Sequence, residues 1–131
     1  MASIFSKIIA GEIPCYKIAE DERCFAFLDI RPVVYGHTLV VPKKEIDYYF
    51  DLDDDYLGHL NVFAKKVAKA LEKEVDCLRI GVMIAGLEVP HAHIHLIPMK
   101  SIDELSFTNP RLTITPEEMT ALASRIAAAF K

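Results

Sequence analysis

The sequence has no tryptophan, only five glycines among its 131 residues, and only three cysteines. Cys15, Cys24 and Cys77 are odd in number and lack Cys-x-x-Cys spacing. That argues against a disulfide framework and against a cysteine-built zinc site, and it suits a reducing cytoplasm. Positive charge is scarce as well: 15 Lys and Arg stand against 19 Asp and Glu, for a net charge of −4. No basic tract is dense enough to follow a nucleic-acid backbone, so nucleic acid is not an expected partner, although a small phosphorylated ligand stays admissible. Long apolar runs are missing too. None approaches the ~18 residues of a membrane span, and Met1-Ala2-Ser3-Ile4-Phe5-Ser6-Lys7 lacks the basic start and apolar run of a signal peptide. The expectation is a soluble, cytoplasmic chain with no membrane association.

What is present is enough for one compact domain over residues 1–131. About half of the residues are apolar, and no repeat, low-complexity tract or Pro/Gly-rich linker divides them. Ser3 followed by Ile4, Phe5, Ile8 and Ile9 predicts a short helix with Ser3 as cap and Gly11 as stop. Cys15–Ala19 and Cys24–Ile30 read as a hairpin around Glu20-Asp21-Glu22-Arg23, and His37–Val41 as a third strand ended by Pro42. From Asp53 the period changes. Leu57, Leu60, Phe63, Ala64, Val67, Ala70 and Leu71 mark a long helix on one face of a sheet. Leu78–Ile84 and Ala92–Ile97 complete about five strands, and Thr115-Pro116 opens a closing helix to about Phe130. Short hairpins and few helices predict an α+β fold, an antiparallel sheet covered on one face.

His91, His93 and His95 alternate along a strand, so all three rings can share one face and one small site. Three imidazoles in that pattern admit three readings: a zinc site with an open fourth position, a covalent site in which one imidazole is the nucleophile, or a polar strand face that happens to be rich in histidine.

The surrounding blocks add to this. Ile4-Phe5-Ser6-Lys7-Ile8-Ile9-Ala10-Gly11-Glu12-Ile13-Pro14, Phe25-Ala26-Phe27-Leu28-Asp29-Ile30, Gly36-His37-Thr38-Leu39-Val40-Val41-Pro42-Lys43-Lys44 and Val89-Pro90-His91-Ala92-His93-Ile94-His95-Leu96-Ile97-Pro98 resemble, in order, the histidine triad (HIT) superfamily, with its small dimeric nucleotide-binding branch as the nearest match. The likeness covers residues 3–98 and leaves 99–131 as a variable tail. It implies a sheet shared by two subunits and a phosphoramidase-type hydrolase or transferase acting on the α-phosphate of a purine nucleotide, with no cofactor and no catalytic metal. It also implies roles. His93 would be the nucleophile, oriented by the backbone carbonyl of His91 so that its Nε2 lone pair faces phosphorus. His95 and His37 would bind phosphate oxygens, and Asp29 the ribose hydroxyls. Ile4, Phe5, Ile8, Phe27 and Leu39 would sandwich the base, with Ile30, Glu88 and Val89 completing the nucleotide site.

Three departures accompany the resemblance. Many relatives carry Cys-x-x-Cys near the start and a histidine after Pro-Lys-Lys, together binding a structural zinc. Ser3, Ser6 and Glu45 stand there, so no structural zinc is expected. Gly81–Glu88 lacks the asparagine and glutamine that relatives use near the ribose, phosphate and leaving group. In that segment Glu88 alone offers a proton donor. Met99-Lys100 replaces the usual arginine after the last proline. Substrate preference is therefore open between a phosphoramidate and a dinucleoside polyphosphate, and a nucleotide-binding regulator of negligible turnover is the competing reading from another class. A metal-binding module is a third, one that metal-free activity would end. The tail helix, with Met119, Leu122, Ile126 and Phe130 at helical spacing, reads as packing or dimer surface, and His59 has no assigned role.

Overall fold

A computed structural model describes residues 2–131. The elements run α1 (Ile4–Ile9), β1 (Tyr16–Glu20), β2 (Cys24–Leu28), β3 (Thr38–Pro42), α2 (Asp54–Glu74), β4 (Arg79–Met83), β5 (Ile94–Met99) and α3 (Pro116–Ala129). Short 3-10 turns at Tyr49–Asp51 and Ile102–Glu104 lie between them. The five strands form one antiparallel sheet in the order β1-β2-β3-β5-β4. The α+β class expected from the sequence is thus the one observed.

Local chemistry accounts for the element ends. Ser3, Asp53 and Thr115 each accept a hydrogen bond from the backbone N–H three residues on, capping α1, α2 and α3. Gly11 takes φ +83° beyond α1, where the Gly11 and Glu12 N–H groups turn back to the Ile8 and Lys7 carbonyls. In the β1–β2 turn, Asp21 Oδ1 accepts from the Arg23 and Cys24 N–H groups, so the side chain closes the hairpin. Gly36, at φ +90°, sits where a Cβ would lie 3.0 Å from Val75 Cγ2, which leaves glycine as the residue that fits.

The sheet is covered on both faces of its centre, where the sequence predicts cover on one. Cys24, Ala26, Leu28, Val40, Ile94 and Leu96 face Leu60, Phe63, Val67 and Leu71 of α2 and Met119, Leu122 and Ile126 of α3. The other face of β2 and β3 presents Phe25, Phe27, Leu39 and Val41, and Phe5 of α1 closes over them. Burial on both sides explains why neither strand alternates with polar residues. The tail helix is core packing, since Met119, Leu122 and Ile126 are buried. β4 is the exception: Val82 and the neighbouring Leu78, Ile84 and Leu87 are exposed along an open edge. No helix is long and apolar enough to cross a membrane among the described residues.

Candidate active site

Strand pairing of β5 begins at Ile94, paired to Val40 of β3. The strand expected over Ala92–Ile97 is thus observed over Ile94–Met99, and His91 and His93 precede it in a run-in pinned by Ala92 N–H to the Ile46 carbonyl (2.7 Å). This corrects the picture of three rings sharing one site. The His91 ring turns into the protein, because the Pro42 carbonyl accepts from its Nε2 (2.8 Å) and the Ser3 hydroxyl lies 2.7 Å from its Nδ1. The His93 and His95 rings stay together, with centroids 4.7 Å apart, and His37 from the head of β3 joins them.

The backbone sets the proton positions on these rings. The His93 Nδ1–H donates to the His91 carbonyl at 2.7 Å, which leaves the Nε2 lone pair uncommitted. The Val33 N–H donates to His37 Nδ1 at 3.1 Å, so the neutral His37 ring carries its hydrogen on Nε2. That Nε2–H donates to His95 Nδ1 (2.9 Å), and a neutral His95 then has its own hydrogen on Nε2. Burial holds the set neutral. It pushes His37 and His95 down to about 3, assisted for both by the Arg111 charge and the neighbouring His93. His91 and His93 are also lowered by burial, against the carbonyls that favour their charged forms. The result is one imidazole with a free lone pair beside another that donates without being charged.

His93 and His95 open onto a cleft of about 420 Å³. Ile4, Phe5, Leu39, Ile30 and Val89 supply its apolar lining, with Asp29 and Glu88 at its acidic positions. Phe5 meets the His93 ring edge-on at 5.0 Å. Ile8 and Phe27 lie beneath the lining, in the apolar cluster under α1, and His37 and His91 are fully buried behind it. Asp29 Oδ1 accepts from the Arg31 N–H (2.8 Å), and its Oδ2 lies 3.6 Å from His37 Nε2. Burial raises the Asp29 pKa against that hydrogen bond and the Arg111 charge.

Sequence reasoning missed three lining residues, Arg31, Phe107 and Arg111. The Phe107 ring lies tilted against the His95 ring, centroids 4.4 Å apart, and Arg111 reaches Asp29 and Glu88 at 3.9 Å each. Both come from the tail, which carries no motif and folds back over more than ten residues of irregular chain. A proline-flanked Arg among polar residues was the only signal.

Asp29, His37 and His95 bring one oxygen and two nitrogens within 4.8 Å of one another. The His37 Nε2 hydrogen fills the space between the rings, so as arranged the group forms a hydrogen-bond chain with no lone pair on that nitrogen for a cation. Near α1, the Ser3 hydroxyl meets His91, while Glu45 accepts from the Ser3 N–H (2.7 Å) and the Ser6 hydroxyl (2.6 Å). Ser3, Ser6, Glu45 and His91 are thus fastened to one another by hydrogen bonds. They include no thiolate and do not make the sulfur-rich set that structural zinc prefers.

Comparison with known proteins gives a single answer. The HIT domain profile matches residues 10–102. The chain belongs to the HIT family. The adenosine 5'-monophosphoramidase of Schizosaccharomyces pombe is 38% identical to this HIT chain, over the full length of both. That of Saccharomyces cerevisiae is 41% identical over 76% of this chain and 63% of its own. Among solved structures, a Hit-like protein of Bartonella henselae superposes with a TM-score of 0.82 at 35% identity, covering 98% of this chain and 96% of that one. A zinc-bound histidine triad protein of Mycobacterium smegmatis superposes equally well, at 0.82 with 27% identity over 98% and 93% of the two chains.

Proposed function

We propose that the cleft binds a purine nucleoside monophosphate derivative and cleaves it at the α-phosphorus through a nucleotidyl-His93 intermediate. The observation that carries the reading is the His93 Nδ1–H bond to the His91 carbonyl, which aims an uncharged Nε2 lone pair at the cleft. In the first step Nε2 forms a bond to phosphorus and the bond to the leaving group breaks with its electron pair. The leaving group takes a proton from water at the open side. In the second step water attacks phosphorus, the P–Nε2 bond breaks, nucleoside monophosphate departs, one proton passes to solvent and neutral His93 is restored. The Nε2–H of His95, backed by His37, donates to a phosphate oxygen as charge develops. Asp29 accepts the ribose hydroxyls, and Ile4, Phe5, Ile30, Leu39 and Val89 hold the base, with Ile8 and Phe27 supporting them from below. The name of the S. pombe relative supports an adenosine phosphoramidate, in which the bond broken is P–N.

Single-turnover mass spectrometry on an adenosine phosphoramidate with a fluorescent amine, in chelator, tests this. The expected result is an adenylyl adduct on His93 that is absent from His93→Ala and His93→Gly. Binding of AMP with neither adduct nor turnover would replace the enzyme with a nucleotide-binding regulator. Two copies pairing along the open β4 edge belong to the same proposal, because exposed Val82, Ile84 and Leu87 would be covered there. Sedimentation equilibrium reporting a monomer at micromolar concentration would reject that part.

A further inference from the structure

The tail puts a cation into the cleft. The loop that carries it is fixed at several points: Arg111 Nη1 donates to the Arg31 carbonyl (2.7 Å), the Leu112 N–H to the Pro32 carbonyl (2.8 Å) and Asn109 Nδ2 to the Asp103 carbonyl (2.8 Å). Phe107 lies between the two reactive features, against the His95 ring and 5.9 Å from the Arg111 guanidinium carbon. The Arg111 side chain is only 21% exposed, yet its approaches to Asp29 and Glu88 are both 3.9 Å, beyond hydrogen-bonding distance. Apart from the bond to the Arg31 carbonyl, its N–H groups have no acceptor within hydrogen-bonding reach among the described residues.

The charges of the cleft sharpen the point. A nucleotide phosphate brings negative charge to a site that already holds Asp29 and Glu88. The histidines cannot offset it, because burial keeps His37 and His95 neutral. Arg31 and Arg111 are the cations in the lining, and Arg31 is exposed while Arg111 is half-buried beside Asp29. A guanidinium fork suits two phosphate oxygens at once.

We infer that Arg111 meets the charge of the bound phosphate, its guanidinium turning from Asp29 and Glu88 to the nonbridging oxygens while Phe107 fixes its approach beside His95. Arg111 is then the specificity residue that separates phosphorylated from unphosphorylated ligands, a task that falls to the tail because residues 82–87 offer no amide or hydroxyl side chain. The inference rests on the cleft being a nucleotide site.

Calorimetric titration of the full chain with AMP and with adenosine separates the two claims, using wild type, Arg111→Gln, Arg111→Lys and Asp29→Asn. Arg111→Gln is expected to weaken AMP by about tenfold or more, the order of one charge-assisted hydrogen bond, and to leave adenosine unchanged. Arg111→Lys restores part of the loss, since it keeps the charge without the fork. Asp29→Asn weakens both ligands alike. An equal loss for both ligands in Arg111→Gln, no loss, or tighter binding of both would overturn the assignment of Arg111, the last by making the tail an occupant of the cleft. Wild type failing to bind AMP would overturn the nucleotide reading beneath it and this inference together.

Discussion

The two walls of the cleft are held by different kinds of bond. On the histidine wall, main-chain groups of the sheet and its approaches do the fixing: the His91 and Pro42 carbonyls and the Val33 N–H each engage an imidazole nitrogen. On the other wall, the groups that reach the cleft are side-chain ones: Glu88 follows Leu87, which is 95% exposed, and the Arg111 guanidinium is tied through one carbonyl, although the tail loop that carries it is also held by the Leu112 N–H to the Pro32 carbonyl. Main-chain groups locked in a sheet cannot turn away, so the first wall fixes tautomers. The second wall can change its side chains without disturbing the strands. The proposed chemistry belongs to the rigid wall and the proposed discrimination to the adaptable one.

Substitutions can break that division. The largest effect is expected from His93→Gly, which should lower single-turnover rates at least about a thousandfold, as loss of a covalent nucleophile does, while AMP binding measured by calorimetry persists. Next, Leu60→Ala on α2, fully buried against the sheet, should cost about 3 kcal/mol in urea unfolding yet leave kcat near wild type at 25 °C. A matching loss of kcat would show that the core and the histidine wall are not separable. His95→Ala should reduce kcat by about a hundredfold, the effect of removing one phosphate-oxygen donor. If KM alone rises, the ring binds substrate without favouring the transition state.

A smaller effect concerns pH. His37 and His95 stay neutral in the fold down to about 3, whereas the unfolded chain protonates them near 6.5. Below 6.5 the unfolded state binds protons that the folded state refuses, so stability is full above that pH and falls as pH drops toward 3. The slope is roughly 1.4 kcal/mol per pH unit for each ring. Denaturation midpoints between pH 7 and 5 should show this, and His37→Asn should remove the contribution of one ring. A flat profile in wild type would mean that the rings titrate normally. Least of all, Thr115→Ala should cost about 1 kcal/mol through the lost cap of α3, read as a drop in melting temperature.

Much of the fold was legible because its signals are local. Ser3, Asp53 and Thr115 cap helices through bonds that span three residues, and the apolar period of α2 needs no knowledge of the rest of the chain. The second covered face was readable in principle, since Cys24–Leu28 contains no polar residue at all, and a strand that is apolar on both faces must be buried on both. The inward turn of His91 was not readable, because it depends on the Pro42 carbonyl, 49 residues away in the chain. Nor was the placement of Phe107 and Arg111, whose positions follow from the packing of an irregular segment. Spacing brought the histidines to attention and the resemblance implied the His93 tautomer, but only the fold shows which hydrogen His37 and His95 carry.

Glu45, just beyond β3, holds the start of α1, where the Ser3 hydroxyl meets the His91 ring, and α1 also brings Ile4 and Phe5 to the cleft. One six-residue helix therefore acts as a shared hinge pin for the apolar lining of the cleft and for the first histidine of the triad. If it detached, hydrogen exchange would accelerate at both places in the same event, at a free energy well below global unfolding. Nucleotide affinity and imidazole alignment would be forfeited in one opening, so ligand bound across α1 would also brace the histidine wall against it.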